Sequence, residues 1–206
     1  MVADATVFVV DDDEAVRDSL ALLLETAGYR VQAFESGRAF LETASSLPFG
    51  CAVIDVRMPD IDGLELQDAL RARGIEMPVI IMTGHADVPM AVRAMRAGAV
   101  DFVEKPFADH VILDSVARAL TQAREKQREV SEVAAIRSRL ETLTPREREV
   151  LDQLVRGHPN KVSAANLGIS PRTVEIHRAR VMEKMQAHSL SELVRMVLSV
   201  GAAPKA

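Results

Sequence analysis

Over roughly the first 120 residues, short apolar runs alternate with longer stretches in which apolar positions recur every three or four residues. Thr6–Val10, Tyr29–Phe34, Cys51–Ile54, Pro78–Thr83 and Asp101–Lys105 are rich in β-branched and aromatic side chains and have the length of buried strands. Between them, Val16, Leu20, Leu23 and Leu24 form a helical stripe that ends at Gly28, and Ser36 can cap a short helix carrying Phe40 and Leu41. Leu64, Leu66 and Leu70 mark a helix that stops near Gly74. Asp87 opens another, with Val88, Ala91, Val92 and Met95 on one face, and a fifth begins near Asp109 with Val111, Ile112, Val116 and Leu120. This rhythm predicts an α/β fold, a five-stranded parallel doubly wound (flavodoxin-like) sheet spanning residues 1–120.

The pattern then changes. From Thr121 to about Leu140 there is no Gly or Pro, and Ala, Glu, Arg and Gln dominate, which predicts a helical linker over 121–140, continuous with the fifth helix or a spacer of its own. Residues 141–206 read as an all-α domain of four helices. Thr144 with Glu147 is a capping box with Pro145 at the first helical position, opening a helix through Val150, Leu151, Leu154 and Val155. Asn160 caps a second helix carrying Val162, Ala165 and Leu167. After Gly168–Ser170, Ser170 caps a third with Pro171 at its start, and Ser189 with Glu192 forms a capping box for a fourth. Two helices joined by a three-residue turn containing Gly make a helix-turn-helix pattern.

Composition adds three constraints. Hydrophobic residues make up 48% of the chain and charged residues 27%, which excludes a disordered chain. No apolar run approaches the ~20 residues needed to span a bilayer, and the N-terminus, with Asp4, has neither a basic nor a long apolar leader region, so no membrane partner and a cytoplasmic location are expected. Cys51, the single cysteine, sits in an apolar run and reads as a buried reduced thiol. Charge is divided unevenly: residues 1–124 carry a net −9 and residues 125–206 a net +4. An acidic module is thus joined to one able to meet a polyanion.

The chemistry gathers at the strand ends. Strand 1 ends at Asp11 and Asp12, strand 3 at Asp55, strand 4 at Thr83 and strand 5 at Lys105. In a parallel sheet these tips share the edge where such folds bind ligands. Three carboxylates held together repel unless they share a cation, and Mg²⁺, with its preference for hard oxygen ligands, fits. Beside that ion Asp55 can act as a nucleophile, with the Thr83 hydroxyl and the Lys105 ammonium on the oxygens of a phosphoryl group. Taken singly, Asp11–Asp13 also read as a helix N-cap cluster, Phe102 as core, and Lys105 before Pro106 as a solvated strand end. The combination of residue types, their order and their strand-end placement points to a site.

The segments VFVVDDDE, VIDVRMPDIDG, IIMTGHAD and GAVDFVEKPF resemble the receiver domain of two-component response regulators, in particular the FixJ-type branch. The resemblance implies that Asp55 is the phosphoacceptor, that Asp11 and Asp12 hold the metal with the Arg57 backbone carbonyl completing its shell, and that Thr83 and Phe102 form a conformational switch. It implies a sensor histidine kinase as phosphoryl donor, RNA polymerase as a downstream partner and a link to nitrogen-fixation genes. It further implies a homodimer formed on phosphorylation through the fourth helix and fifth strand (Val88, Val92, Met95, Ala99, Asp101). A bulky Arg57, two residues beyond Asp55, is expected to hinder water and prolong the acyl phosphate. A competing reading from the residues is a Mg²⁺-dependent aspartyl phosphatase, which would need a second Asp where Arg57 stands; a third is an interaction module whose tail binds protein.

Residues 143–198 resemble the LuxR/NarL-type DNA-binding domain, departing from it at Val162, Ser163, His158 and Pro159. On a helical wheel begun at Ser170, Val174, His177, Val181 and Met185 share the inward side, His177 reading as a structural, hydrogen-bonded histidine. The other side predicts the contacts with double-stranded DNA: Arg172, Glu175, Ile176, Ala179 and Arg180 along the recognition helix, and Asn160, Lys161, Thr173 and Lys184 on phosphates. Glu175 either accepts from cytosine or is a solvated residue off the groove.

Overall fold

The computed structural model describes residues 5–201, so Asp4 and the end of the 141–206 segment lie outside it. The chain divides into two compact units, Met1–Glu125 and Lys126–Ala206.

In the first unit, β1 (Thr6–Val10), β2 (Arg30–Phe34), β3 (Gly50–Asp55), β4 (Val79–Thr83) and β5 (Asp101–Glu104) form one parallel sheet in the order β2-β1-β3-β4-β5. The order reverses between β1 and β3, so the crevice at their C-terminal ends lies where Asp11 and Asp55 emerge. Helices α1 (Glu14–Thr26), α2 (Gly37–Thr43), α3 (Gly63–Ala72), α4 (Val88–Arg96) and α5 (Asp109–Glu141) follow the strands in turn, with a 3₁₀ turn at Ala44–Ser46. The two-residue period of the strands divides the core. Val7, Val9, Val53 and Ile80 pack with Leu20, Leu24, Ile112 and Val116 on the side of α1 and α5. Phe8, Ile54 and Ile81 pack with Phe40, Leu66, Leu70 and Ala94 on the side of α2, α3 and α4. Cys51 is wholly buried, and burial pushes its thiol up to about 12, as in an inert structural cysteine.

Of the two forms left open for residues 121–140, the structure has the continuous one: nothing interrupts α5, and Ile136 near its end is a buried member of the second unit's core. The apolar stripe of α4 faces outward. Val88, Val92 and Met95 are 77%, 43% and 49% exposed, while Ala94 alone among the residues of α4 is buried and ties the helix to α3 through the Gln67 amide, which donates to the Ala94 carbonyl at 3.2 Å.

The second unit packs α6 (Pro145–Val155), α7 (Asn160–Leu167), α8 (Pro171–Met185) and α9 (Leu190–Ser199) around Val150, Leu154, Val174, Val181, Met185 and Leu193. Gly168 closes α7 at φ 64°, a left-handed conformation that glycine adopts without strain, and so sets the turn into α8. The Thr144–Glu147 capping box forms as expected. Asn160, however, is the first residue of α7 and Pro159 its cap, with no side-chain bond. The buried residues of α7 are Ser163 and Ala164, whereas Val162 and Ala165 face outward. Small side chains let α7 lie close to its neighbours, and a search for large apolar positions misses that. At α9 the box is one-sided: Ser189 Oγ accepts from the Glu192 N–H, but the Glu192 carboxylate takes the His188 N–H at 2.8 Å.

Candidate functional site

Lys105 follows β5, an outer strand, and its side chain reaches back to the tips of β1 and β3. Its ammonium donates to Asp11 Oδ2 and to Asp55 Oδ1, each at 2.7 Å. Asp11 and Asp55 are 2% and 6% exposed, so two strand-end carboxylates are brought into a nearly dry crevice and share one cation. The local sequence explains how each is held. β3 delivers Asp55, and its second oxygen accepts the Arg57 N–H at 2.6 Å as the loop turns away. Gly63 starts α3 against this backbone, where a Cβ would stand 2.3 Å from the Asp55 carbonyl oxygen. Asp11 Oδ1 accepts the Asp13 N–H at 2.9 Å, and Arg17 from α1 donates to the Asp11 carbonyl at 2.8 Å. Asp13, not Asp11 or Asp12, caps α1.

Two carboxylates against one ammonium leave a negative charge unbalanced. Burial raises the Asp55 pKa, and Asp11 adds to this, against the lowering by Lys105 and the Arg57 N–H. For Lys105 burial works downward, but the bonds to Asp11 and Asp55 outweigh it and raise its pKa. Hard oxygen donors with excess negative charge fit a small divalent cation. Asp12, next to Asp11, is exposed at the rim of this crevice.

Thr83 is wholly buried at the end of β4, its hydroxyl 3.4 Å from the His85 carbonyl and accepting the His85 N–H at 3.3 Å. Phe102 on β5 is half-buried against the cluster that contains Ile81 and Ala94. Arg57 and His85 are exposed. Asp101 is engaged by the Ser115 hydroxyl at 2.5 Å and by Arg118 at 2.6 Å, and Ala99 is buried. Val88, Val92 and Met95 are the large apolar side chains exposed on α4, beside Arg93 and Arg96.

In the second unit, Arg172, Glu175, Ile176, Ala179 and Arg180 all lie exposed on α8, Ile176 at 49%, and Lys161 is exposed on α7. Thr173 exchanges a 2.8 Å hydrogen bond with the Ser170 hydroxyl. Lys184 departs from its expected place on the phosphate backbone. Its ammonium is spent inside the protein, on the buried Glu147 carboxylate at 2.7 Å and the Thr142 carbonyl at 3.0 Å. His177 also departs from expectation, since its buried Nδ1 has no hydrogen-bond partner. Arg178, unassigned from the sequence, donates to Asn160 Oδ1 at 3.4 Å and links α8 to the start of α7. Its place one residue beyond the inward-facing His177 was the available signal.

A parallel sheet presenting a paired strand-end aspartate, joined to a helix-turn-helix unit, defines a class. The response regulator receiver domain matches residues 7–117, and the luxR family of bacterial regulatory proteins matches residues 141–197. The chain belongs to the response regulators that join a receiver to a luxR-type DNA-binding domain, and it is a transcription regulator. Within that class it is FixJ-like. It is 54% identical to the transcriptional regulatory protein FixJ of Azorhizobium caulinodans, over 96% of this chain and 94% of that protein. It is 51% identical to FixJ of Rhizobium meliloti, over 98% of each. Full-length FixJ from B. japonicum is similar in structure (TM-score 0.61, 47% identity, 97% of this chain and 98% of that one). So is the response regulator StyR (TM-score 0.85, 41% identity, 95% and 99%). Among the described residues no helix is long and apolar enough to cross a membrane.

Proposed function

We propose that Asp55 accepts a phosphoryl group from a histidine of a sensor kinase and that this switches DNA binding in the cytoplasm. The observation that carries the reading is the single ammonium of Lys105 bonded at 2.7 Å to both Asp11 and Asp55. An Asp55 oxygen attacks phosphorus as the donor's N–P bond breaks, and the departing imidazole takes up a proton. Asp11, Asp55 and the Arg57 carbonyl, with Asp12 nearby in sequence, would hold Mg²⁺, which supplies charge neutralisation for the phosphoryl oxygens. Lys105 then pairs with the new anion, and the Thr83 hydroxyl leaves the His85 backbone to donate to it. The half-buried Phe102 follows into the space that Thr83 frees. Val88, Val92 and Met95 support a dimer contact: they form an exposed apolar face on α4, an interaction surface that lies close in sequence to the Thr83 switch.

A dimer pairs two α8 helices over a two-fold site, with Arg172, Glu175, Ile176, Ala179 and Arg180 toward base edges and Asn160, Lys161 and Thr173 toward phosphates. Control of nitrogen-fixation genes and contact with RNA polymerase belong to the same proposal, and the likeness to FixJ supports them. DNA binding and particle size, measured with and without acetyl phosphate plus Mg²⁺ on the full chain and on Asp55→Asn, test the reading. Phosphoryl-dependent dimerisation and tighter binding in the wild type alone are expected. Equal behaviour of the two proteins refutes it.

A further inference from the structure

Residues 56–62 leave β3 and return to α3 in a short loop held at three places. At its base, the Arg57 N–H is bonded to Asp55 and the Gly63 N–H to the Val56 carbonyl at 2.9 Å. In its middle, Met58 and Ile61 pack beside Phe40 and Leu66. The start of α2 is pressed so close that a Cβ on Gly37 would stand 2.5 Å from Ile61 Cγ2 and 3.2 Å from Met58 Cε. At its tip, Asp60 Oδ2 accepts the Arg38 N–H at 2.8 Å, from the first turn of α2.

This last bond is not needed to make the helix. Ser36 already caps α2 by accepting the Ala39 N–H at 3.2 Å. Asp60 supplies a second cap from a different loop, which makes it a tether. What it tethers to is informative. α2 begins just after β2, and the last residue of β2, Phe34, accepts the Asp11 N–H at 3.2 Å. The anchor of Asp60 is therefore registered on the strand tip that carries Asp11. Small burial acts upward on the Asp60 carboxyl, but the N–H groups of Arg38, Ile61, Asp60 itself and Gly37 hold it below its usual pKa, as a carboxylate used for its charge and acceptors would be.

We propose that Asp60 is a positioning residue for the phosphoacceptor site, its bond to α2 holding the Arg57 loop in one frame with Asp11 so that both can meet the same divalent ion. The inference rests on the reading of Asp55 as phosphoacceptor. Two variants of the full chain test it, Asp60→Ala, which removes the tether, and Asp60→Asn, whose amide oxygen can still accept the bond. Backbone hydrogen exchange is measured without metal or phosphoryl donor. In Asp60→Ala the Arg38 and Arg57 amides both exchange faster, by about fivefold, the loss expected for a removed cap, and Asp60→Asn restores both. Labelling by acetyl phosphate then shows a Mg²⁺ half-saturation raised about fivefold in Asp60→Ala, with the rate at saturating Mg²⁺ unchanged. If only Arg38 exchanges faster, Asp60 is merely an extra cap, and the inference is overturned. It is equally overturned if Asp60→Asn is as impaired as Asp60→Ala. A wild-type chain that takes no label on Asp55 refutes the phosphoacceptor reading, while exchange at Arg57 still decides the tether.

Discussion

Glu147 is a buried carboxylate that ties two helices of the second unit together. It is 2% exposed, closes the capping box by accepting the Thr144 N–H at 2.9 Å, and pairs with Lys184 at 2.7 Å, so that it joins the start of α6 to the end of α8. The Lys184 bond chiefly, then the Thr144 N–H, pull its pKa from 4.5 down to about 2, against the raising effect of burial. Between those values the unfolded chain binds a proton that the folded chain does not. Stability therefore rises with pH through that window: the contribution is complete above about pH 4.5 and is lost as pH falls toward about 2. At about 1.4 kcal/mol per pK unit this amounts to about 3.5 kcal/mol as an upper figure. Breaking a buried pair costs about 3–5 kcal/mol, and Lys184, a third exposed, can turn to water, which brings Glu147→Ala to about 2–3 kcal/mol by a second route. Residues 126–206 contain no Trp, Tyr or Phe, so Tyr29 fluorescence follows the first unit alone, while far-UV circular dichroism follows both. In urea at about pH 7, Glu147→Ala is expected to move the second unit's transition down by about 2 M and to leave the Tyr29 transition in place. At about pH 3 the difference between variant and wild type shrinks. A difference that stays constant between the two pH values would refute the argument.

Three further outcomes follow from the same geometry. Lys105→Met removes the ammonium that occupies both carboxylates, so calorimetric Mg²⁺ affinity rises by about tenfold although the phosphoryl switch is lost; an unchanged affinity would mean that the ammonium does not compete with the ion. Arg57→Ala uncovers the approach to Asp55, and the acyl phosphate decays about threefold faster, followed by loss of label with time; an unchanged rate removes Arg57 from phosphoryl protection. Arg172→Ala weakens DNA binding by about 1–3 kcal/mol if it reads a base, with relaxed preference at one position; a loss uniform over all sequences, with a shallower salt dependence, assigns it to phosphate instead.

What could be read in advance, and what could not, has a physical pattern. The three central strands, β1, β3 and β4, were legible because a fully buried parallel strand must be apolar on both faces, and they are; the edge strands β2 and β5 are partly exposed and showed through their β-branched and aromatic residues. The strand tips were legible because polar residues ending such runs are few and chemically distinct. α4 and α7 show two limits of periodicity. On α4, Val88, Val92 and Met95 are apolar at helical spacing and face outward, and periodicity reports that a face is apolar and not what covers it. On α7 the buried positions, Ser163 and Ala164, are too small to register as a stripe. Lys184 was misplaced because a basic residue on a DNA-binding helix reads the same whether it meets a phosphate or, as here, the buried Glu147.

The same division explains why the arrangement about Asp55 needed coordinates. Residue types at strand ends imply a charged crevice, but not how its charge is divided. Lys105 lies 50 residues from Asp55 and 94 from Asp11, yet one ammonium serves both. Under the proposed phosphorylation of Asp55, the added negative charge would strengthen its hold on Lys105, and a divalent ion held by Asp11 and Asp55 would supply the remaining charge neutralisation. The ammonium would then be drawn from a position between two carboxylates to one partner, and Lys105 is joined to β4 by its N–H, bonded at 2.7 Å to the Thr83 carbonyl. In the proposed switch a change of charge at Asp55 would therefore reach Thr83 by two routes, through its hydroxyl and through the backbone of the lysine. Separating them requires Thr83→Ala, which removes the first and leaves the second: any dimerisation that survives in that variant measures what the lysine route contributes.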